Sequence, residues 1–382
     1  MSNARRRLWA EHSVEGSLSV EGEFFLVDLH SGACAAAAES VVQHCEFAER
    51  EIVQEVVETS TGPHTRTEAL LEGMTLRRDA LTVSARRTGH GILASGTHPL
   101  CNTQALTLTD DDRYRRVRQE LPWIWRETHT CGMRVHVGIT SADRAIRICD
   151  SLRRWLPTLL ALSANSPLWR GEDTGLASMR ALLIQGHPRS GMPPCWESWN
   201  RYLELTDTVT DLAFGDQSWF WWFTKPHPTH GTVEVRICDA QTDVRDAWAL
   251  ASLTGALCAA LGHGQLSSGW ADDPAELLLE ESMWNAIRTG IGGQCLLTID
   301  PCTFGEHALK LVDDLSPSLS AACIQRLRAL ASAPGHSAQV AELERLGDPL
   351  SVALSLGAQS AGGDGFLVPA PWVVLPQLEG SM

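Results

Sequence analysis

The chain has 382 residues, a net charge of −15 and a hydrophobic fraction of 44%. Those are the values of a globular chain long enough for one large domain or two medium ones. Such acidity excludes a nucleic-acid surface, which needs a basic stripe. The longest apolar run, residues 247–261, holds Ser252 and Thr254 and is too short to cross a bilayer. Eleven cysteines without a CxxC pair read as buried thiols of a reduced, cytoplasmic protein, not as a disulfide frame or zinc site. The opening MSNARRRLWAEHSVEG has no apolar segment, so no signal peptide is expected.

Residues 1–13 are polar and expected to be loose. SVEGEFFLVD (19–28) reads as a strand, whose side chains alternate between two faces. Glu21 and Glu23 then share one face, and Val20, Gly22, Phe24 and Leu26 the other, before the turn sequence DLHSG. In FAEREIVQEVVETSTG (47–62), Glu51 and Glu58 stand seven apart. That spacing gives one face of a helix, or opposite faces of one unbroken strand. Residues 65–89 carry helical periodicity. Residues 91–100, GILASGTHPL, read as a short strand stopped by Pro99, and 110–125 as a helix broken near Pro122.

In CGMRVHVGI (131–139), Arg134, His136 and Gly138 face away from Met133, Val135, Val137 and Ile139. Asp143 is the expected N-cap of a helix over 144–155, and Pro157 opens a further helix over 158–163. Residues 165–200 are rich in Gly, Pro, Ser and Trp, the composition of a lid or binding loop. The aromatic run 219–223 is more often a packed wall than a ligand stack. TVEVRICD (232–239) alternates again, with Val233, Val235 and Ile237 on one face and Glu234, Arg236 and Cys238 on the other. Residues 243–261 form a buried helix, the pattern stays helical from about 270, and the tail has no periodicity. A single domain over 14–360, with a tail from 361, is expected.

Any one of the three charged strands matches a half-solvated strand of an antiparallel sheet. Three of them, far apart in the chain and each bringing charged or metal-capable side chains to one face, read as the floor of an active site.

The segments VEGEFFLVD, GTHP, CGMRVHVG, RRWLPTLLALSANSPLWRGEDTG, GTVEVRICD and WNAIRTG, in that order, resemble the bacterial carboxylate–amine ligases of the glutamate–cysteine ligase type 2 family. The likeness runs over roughly residues 15–300, and more faintly to about 358. It implies a glutamine-synthetase-like α+β fold: a curved antiparallel sheet with the active site on its concave face and helices packed outside. It also implies ATP and Mg2+ as cofactors, small-molecule carboxylate and amine substrates joined as an amide, and a homodimer without nucleic-acid or membrane partners. Carried over residue by residue, Glu23, Glu51 and Glu58 would hold one metal ion, and Glu21 and Glu234 a second. Arg236 would stabilise the phosphoryl group in transfer, and His136 would sit beside the nucleotide phosphates. Arg180 and Lys225 fall where substrate contacts are expected.

The chain also departs from that pattern. Glu21-Gly22-Glu23 replaces three consecutive acids, and Arg134 stands where the family has a metal-binding histidine. WFTKP replaces W-D-x-R-P, so that Phe223 removes an acid and Lys225 replaces an arginine. Arginine keeps its charge and cannot ligate, so Arg134 either substitutes for part of an ion's charge, as a catalytic group, or repels the ion. Three readings are open. One is a ligase acting on substrates other than glutamate plus cysteine, and another is a catalytically silent family member that binds a ligand or partner. The third, a metal-dependent hydrolase, fits the arginines least.

Overall fold

The computed structural model describes Trp9 and residues 13–211, 219–266 and 275–362. Seven strands form one antiparallel sheet: β1 (Leu18–Asp28), β2 (Ala48–Arg50), β3 (Val56–Ser60), β4 (His90–Leu93), β5 (Met133–Gly138), β6 (Thr224–His227) and β7 (Thr232–Val235). Their spatial order is β2-β3-β1-β5-β7-β6, with β4 paired to the far half of β1. The three charged segments of the sequence are thus neighbouring central strands.

Nine of the described helices frame the sheet, its core or its polar face: α1 (Thr67–Arg87), α2 (Asp112–Glu120), α3 (Ala142–Leu152), α4 (Leu156–Ser163), α5 (Met179–Gln185), α6 (Val244–His263), α7 (Phe304–Leu315), α8 (Ala321–Leu330) and α9 (Pro349–Ser360). Val20, Met133, Val135, Val137, Val233 and Val235 form the apolar face of the sheet. They join Ile146, Leu160, Leu250, Leu311 and Leu327 of the helices in one core. Each such side chain gains about 1.5–3 kcal/mol on full burial. A one-residue slip of a strand would exchange them for acids and arginines, so the register is strongly held.

α6 is longer than the apolar run of its sequence. It is the one described helix long and apolar enough to cross a membrane, and its apolar face, including Leu250, Leu253 and Leu257, is buried in the core. Its ends are set by Asp243, whose carboxylate accepts from the Arg245 N–H, and by Gly264 in the left-handed conformation. α9 returns to the sheet, where the Ser360 hydroxyl accepts from the Ala94 N–H at 2.9 Å.

Four local expectations change. Residues 47–62 form no helix: β2 and β3 pair antiparallel, Glu49 opposite Glu58, and a turn between them reverses the chain. The strand at 232–239 stops at Val235; beyond it the Arg236 N–H turns to Phe223 O, and Cys238 enters the core beside Ile237 instead of lining a cleft. α3 is capped by Ser141, while Asp143 lies inside its first turn, where a negative charge suits the helix dipole. Trp9, from the segment expected to be loose, is buried, edge-on to Trp199 at 5.6 Å. The rest of that segment, apart from Ser13, and the tail beyond 362 lie outside the described residues.

Residues 165–200 are in part a brace. Asp239 is fully buried, and its carboxylate accepts from Asn165 N (2.8 Å), Ser166 Oγ (2.7 Å) and Ser178 Oγ (3.0 Å). That ties the segment to the end of the central strand.

Candidate active site

The strand register lays the polar side chains out in rows. Glu23 stands opposite Glu58 across β1 and β3, and Glu21 opposite Arg134 across β1 and β5. His136 stands opposite Glu234 across β5 and β7, and Glu234 opposite Lys225 across β7 and β6. Directly opposed side chains on one face lie about 4.5–5.5 Å apart at Cβ, so this topology alone forces them together. All ten residues singled out from the sequence (Glu21, Glu23, Glu51, Glu58, Arg134, His136, Arg180, Lys225, Glu234 and Arg236) line a single cleft of about 610 Å³.

Arg134 is at the centre. Its Nη1 lies 3.0 Å from Glu21 Oε2 and also bonds Glu58, while its Nη2 bonds Glu23 and lies 3.5 Å from Glu51 Oε1. Burial works to lower its pKa, but the four carboxylates overcome that and hold the guanidinium firmly charged. Glu58 goes the other way: burial, together with the charges of Glu51, Glu21 and Glu23, outweighs Arg134 and raises its carboxyl well above the usual range. One guanidinium does not neutralise four half-buried acids, and this side of the cleft draws further positive charge. Oxygen atoms of Glu23, Glu51 and Glu58 lie within 4.8 Å of one another. That all-oxygen donor set suits a hard cation such as Mg2+. Glu23 is also fixed by the Gly132 N–H, which donates to its Oε2 at 2.6 Å.

The other side is closer to balance. Glu234, 3% exposed, has Lys225 Nζ at 3.5 Å and Arg236 Nη1 at 3.6 Å. Burial would raise its carboxyl; Lys225 and Arg236 reverse that and hold it far below the usual range. Glu21 has His136 Nε2 at 3.3 Å as well as Arg134. Burial is again overcome by these partners, holding Glu21 at about 2. The His136 Nδ1 position is fixed by Thr232 Oγ1 at 3.0 Å.

Arg180, on α5, reaches the cleft from below. Its Nη1 and Nη2 donate to Ile237 O (3.0 Å) and Arg236 O (3.1 Å), and Asp239 Oδ1 is 3.6 Å from Nη1. The guanidinium passes so close to Gly132 that a Cβ there would lie 2.1 Å from Nη2. Further lining residues escape a reading of the sequence: His227, Tyr114, Arg113 and His187, with Trp219 and Trp221 from the aromatic run. His227 had a signal, since it lies two residues beyond Lys225 on the same strand. Trp219 and Trp221 face the cleft with their planes 11° apart, so the aromatic wall is partly a wall of the site.

Carboxylate oxygens that suit a hard cation, beside guanidinium groups that suit phosphate, are the chemistry this cleft offers. The described architecture is shared with solved ligases. The glutamate–cysteine ligase of Francisella tularensis, solved in complex with AMP, superposes with a TM-score of 0.69 at 11% identity, covering 90% of this chain and 88% of that one. A bifunctional glutathione synthetase from Pasteurella multocida gives 0.66 at 12% identity, over 94% of this chain and 54% of that one.

The sequence is more specific than the fold. The profile of glutamate-cysteine ligase family 2 matches residues 18–342. A glutamate–cysteine ligase of Natronomonas pharaonis is 32% identical over 288 residues, 74% of this chain and 80% of its own length. One of Haloquadratum walsbyi is 33% identical over 284 residues, 72% and 78% respectively. The chain belongs to glutamate-cysteine ligase family 2, and is an ATP-dependent ligase that forms a carbon–nitrogen bond.

Proposed function

We propose that the cleft joins a small carboxylic acid, of γ-glutamyl or amino-acid type, to an amine through an acyl phosphate, on the concave face of the sheet. A carboxylate oxygen of the acid attacks the γ-phosphorus of ATP, and ADP leaves with the electron pair of the broken P–O bond. The amine nitrogen then attacks the acyl carbon, phosphate departs, and the nitrogen gives up a proton. Neither step needs a protein nucleophile, so the burden falls on positioning and charge.

The distribution of charge supports this reading. Glu23, Glu51 and Glu58 are the donors for a divalent cation, which when bound neutralises charge on the triphosphate. Arg236 offers a planar donor fork to the phosphoryl group in transfer. His136 stands beside the phosphates, its ring held in place by Thr232 Oγ1 at Nδ1. Lys225, on the adjacent strand, is the candidate for a substrate carboxylate. Arg180 spends its two outer nitrogens on the carbonyls of Arg236 and Ile237, and serves better as a strut that holds Arg236 in place than as a substrate contact.

The single observation that carries the proposal is the convergence in one cleft of acids from β1, β3, β7 and the turn after β2 with the guanidinium groups of Arg134 and Arg236. It is tested by ADP release from purified protein with MgATP, screened over a panel of acids and amines. Release that requires both an acid and an amine is expected. No release across the panel, or release indifferent to the amine, contradicts it.

A further inference from the structure

Resting on the reading of the cleft as a nucleotide site, the geometry points to an enzyme that uses a single divalent cation. The second cation position is filled by the protein's own fixed charges. Glu21 and Glu234 lie on the strands either side of β5, opposite Arg134 and His136 respectively, and would be the donors of a second ion. Each is already engaged: Glu21 by Arg134 Nη1 at 3.0 Å and His136 Nε2 at 3.3 Å, Glu234 by Lys225 Nζ at 3.5 Å and Arg236 Nη1 at 3.6 Å.

None of these partners is incidental. Arg134 is 17% exposed, Lys225 10% and Arg236 15% at the side chain. Lys225 is held by a further bond from Nζ to Phe220 O at 2.9 Å. A guanidinium cannot give up its proton to make room for a metal. An ion placed between Glu21 and Glu234 would therefore sit among two permanent cations, Arg134 and Arg236, and the Lys225 amine, in a setting where water screens charges little.

The charge count agrees. With all five acids ionised, as a bound cation requires, Glu21, Glu23, Glu51, Glu58 and Glu234 face Arg134, Lys225 and Arg236, leaving two negative charges for one divalent ion. Of the other charged residues lining the cleft, Glu49 and Asp111 offset Arg50 and Arg113, and Arg180 is taken up by Asp239 and two backbone carbonyls. The remaining acids also converge in the right place. Glu23, Glu51 and Glu58 are the described trio whose oxygens meet within 4.8 Å; Arg134 touches all three, but one guanidinium leaves three carboxylates in negative surplus, whereas Glu234 is outnumbered by Lys225 and Arg236. Arg134, Lys225 and Arg236 thus do electrostatically what a second ion would do, without a dissociation equilibrium.

The test is the number of Mn2+ ions bound per chain without nucleotide, read from the free-ion signal in electron paramagnetic resonance. Wild type is expected to hold one. Glu51→Gln should weaken that ion at least about 10-fold, since loss even of a group supporting a ligand costs that much, whereas Glu234→Gln should leave the count at one. Arg134→His, which removes the fixed charge and offers a ligand, should raise the count to two, and Arg134→Lys should keep it at one. Two ions on the wild-type chain, or loss of an ion in Glu234→Gln, would overturn the inference. So would an Arg134→His variant that is folded by circular dichroism yet still binds one. Should Arg134→His not fold, the wild-type and Glu234→Gln counts decide. ADP release is measured separately: one bound ion without turnover would sink the ligase reading alone, and two bound ions with turnover the cation count alone.

Discussion

Gly132 carries no side chain because the Arg180 guanidinium lies where a Cβ would be, 2.1 Å from it. The constraint is space, since Arg180 is itself held by Asp239 and two carbonyls and cannot swing aside. Gly132→Ala should therefore lower stability by about 1–3 kcal/mol, the usual cost of overpacking, seen as an earlier urea midpoint at unchanged slope. A midpoint equal to wild type would mean that Arg180 does not lie there. Glu23→Gln keeps an oxygen for the Gly132 N–H but removes a charge. It is expected to cut ADP release at least about 100-fold, the scale of losing one electrostatic group from an active site. The unfolding midpoint should not fall, because the crowding that raises Glu58 is relieved. The acids, the arginines and His136 were legible in the sequence because strand alternation sorts them onto one face. Gly132 and Asp239 were not: what each does depends on Arg180, which comes from a helix some fifty residues away in the chain.

α6 illustrates how local signals and packing combine. Its apolar composition announced a buried helix; that Asp243 is its N-cap comes from the structure. The carboxylate of Asp243 accepts from the Arg245 N–H at 2.8 Å and bonds Arg326 of α8. Burial acts to raise its pKa, but the bonds from Arg245 and Arg326 prevail and lower it. The unfolded chain thus takes up the proton first as pH falls, from about 3.9. The stabilisation is complete above that value and is lost as pH drops through the lower folded value. Asp243→Ala should cost about 0.5–2 kcal/mol at pH 7, the worth of an N-cap, and the gap to wild type should narrow when urea melts are repeated at pH 3. A gap that widens in acid would contradict the sign. The β2–β3 pair was not legible, because Glu51 and Glu58 at seven apart fit a helix face as well as two strands joined by a turn. Only pairing with β1 decides between them. In the segment 165–200 composition suggested a lid or binding loop; it lines the cleft through Arg180, Ile184 and His187, and Asn165, Ser166 and Ser178 also bind one buried carboxylate, Asp239, which composition alone does not announce.

Across the molecule, the sheet separates two kinds of chemistry. One face feeds a continuous apolar core against α3, α4, α6, α7 and α8, and the other gathers acids and cations from segments as far apart as β1 and β7. The periodicity of β1, β5 and β7 could be read from sequence, and so could which face of each was charged. The strand order β3-β1-β5-β7 could not, and that order converts three charged faces into one site, because sequence holds no record of which distant strands pair. The most direct test of that arrangement is a crystal structure with a non-hydrolysable ATP analogue and Mn2+, with the ion located by anomalous scattering. The ion is expected among Glu23, Glu51 and Glu58, with the terminal phosphate turned toward Arg236. A nucleotide bound anywhere outside the face formed by β1, β5 and β7 would contradict it.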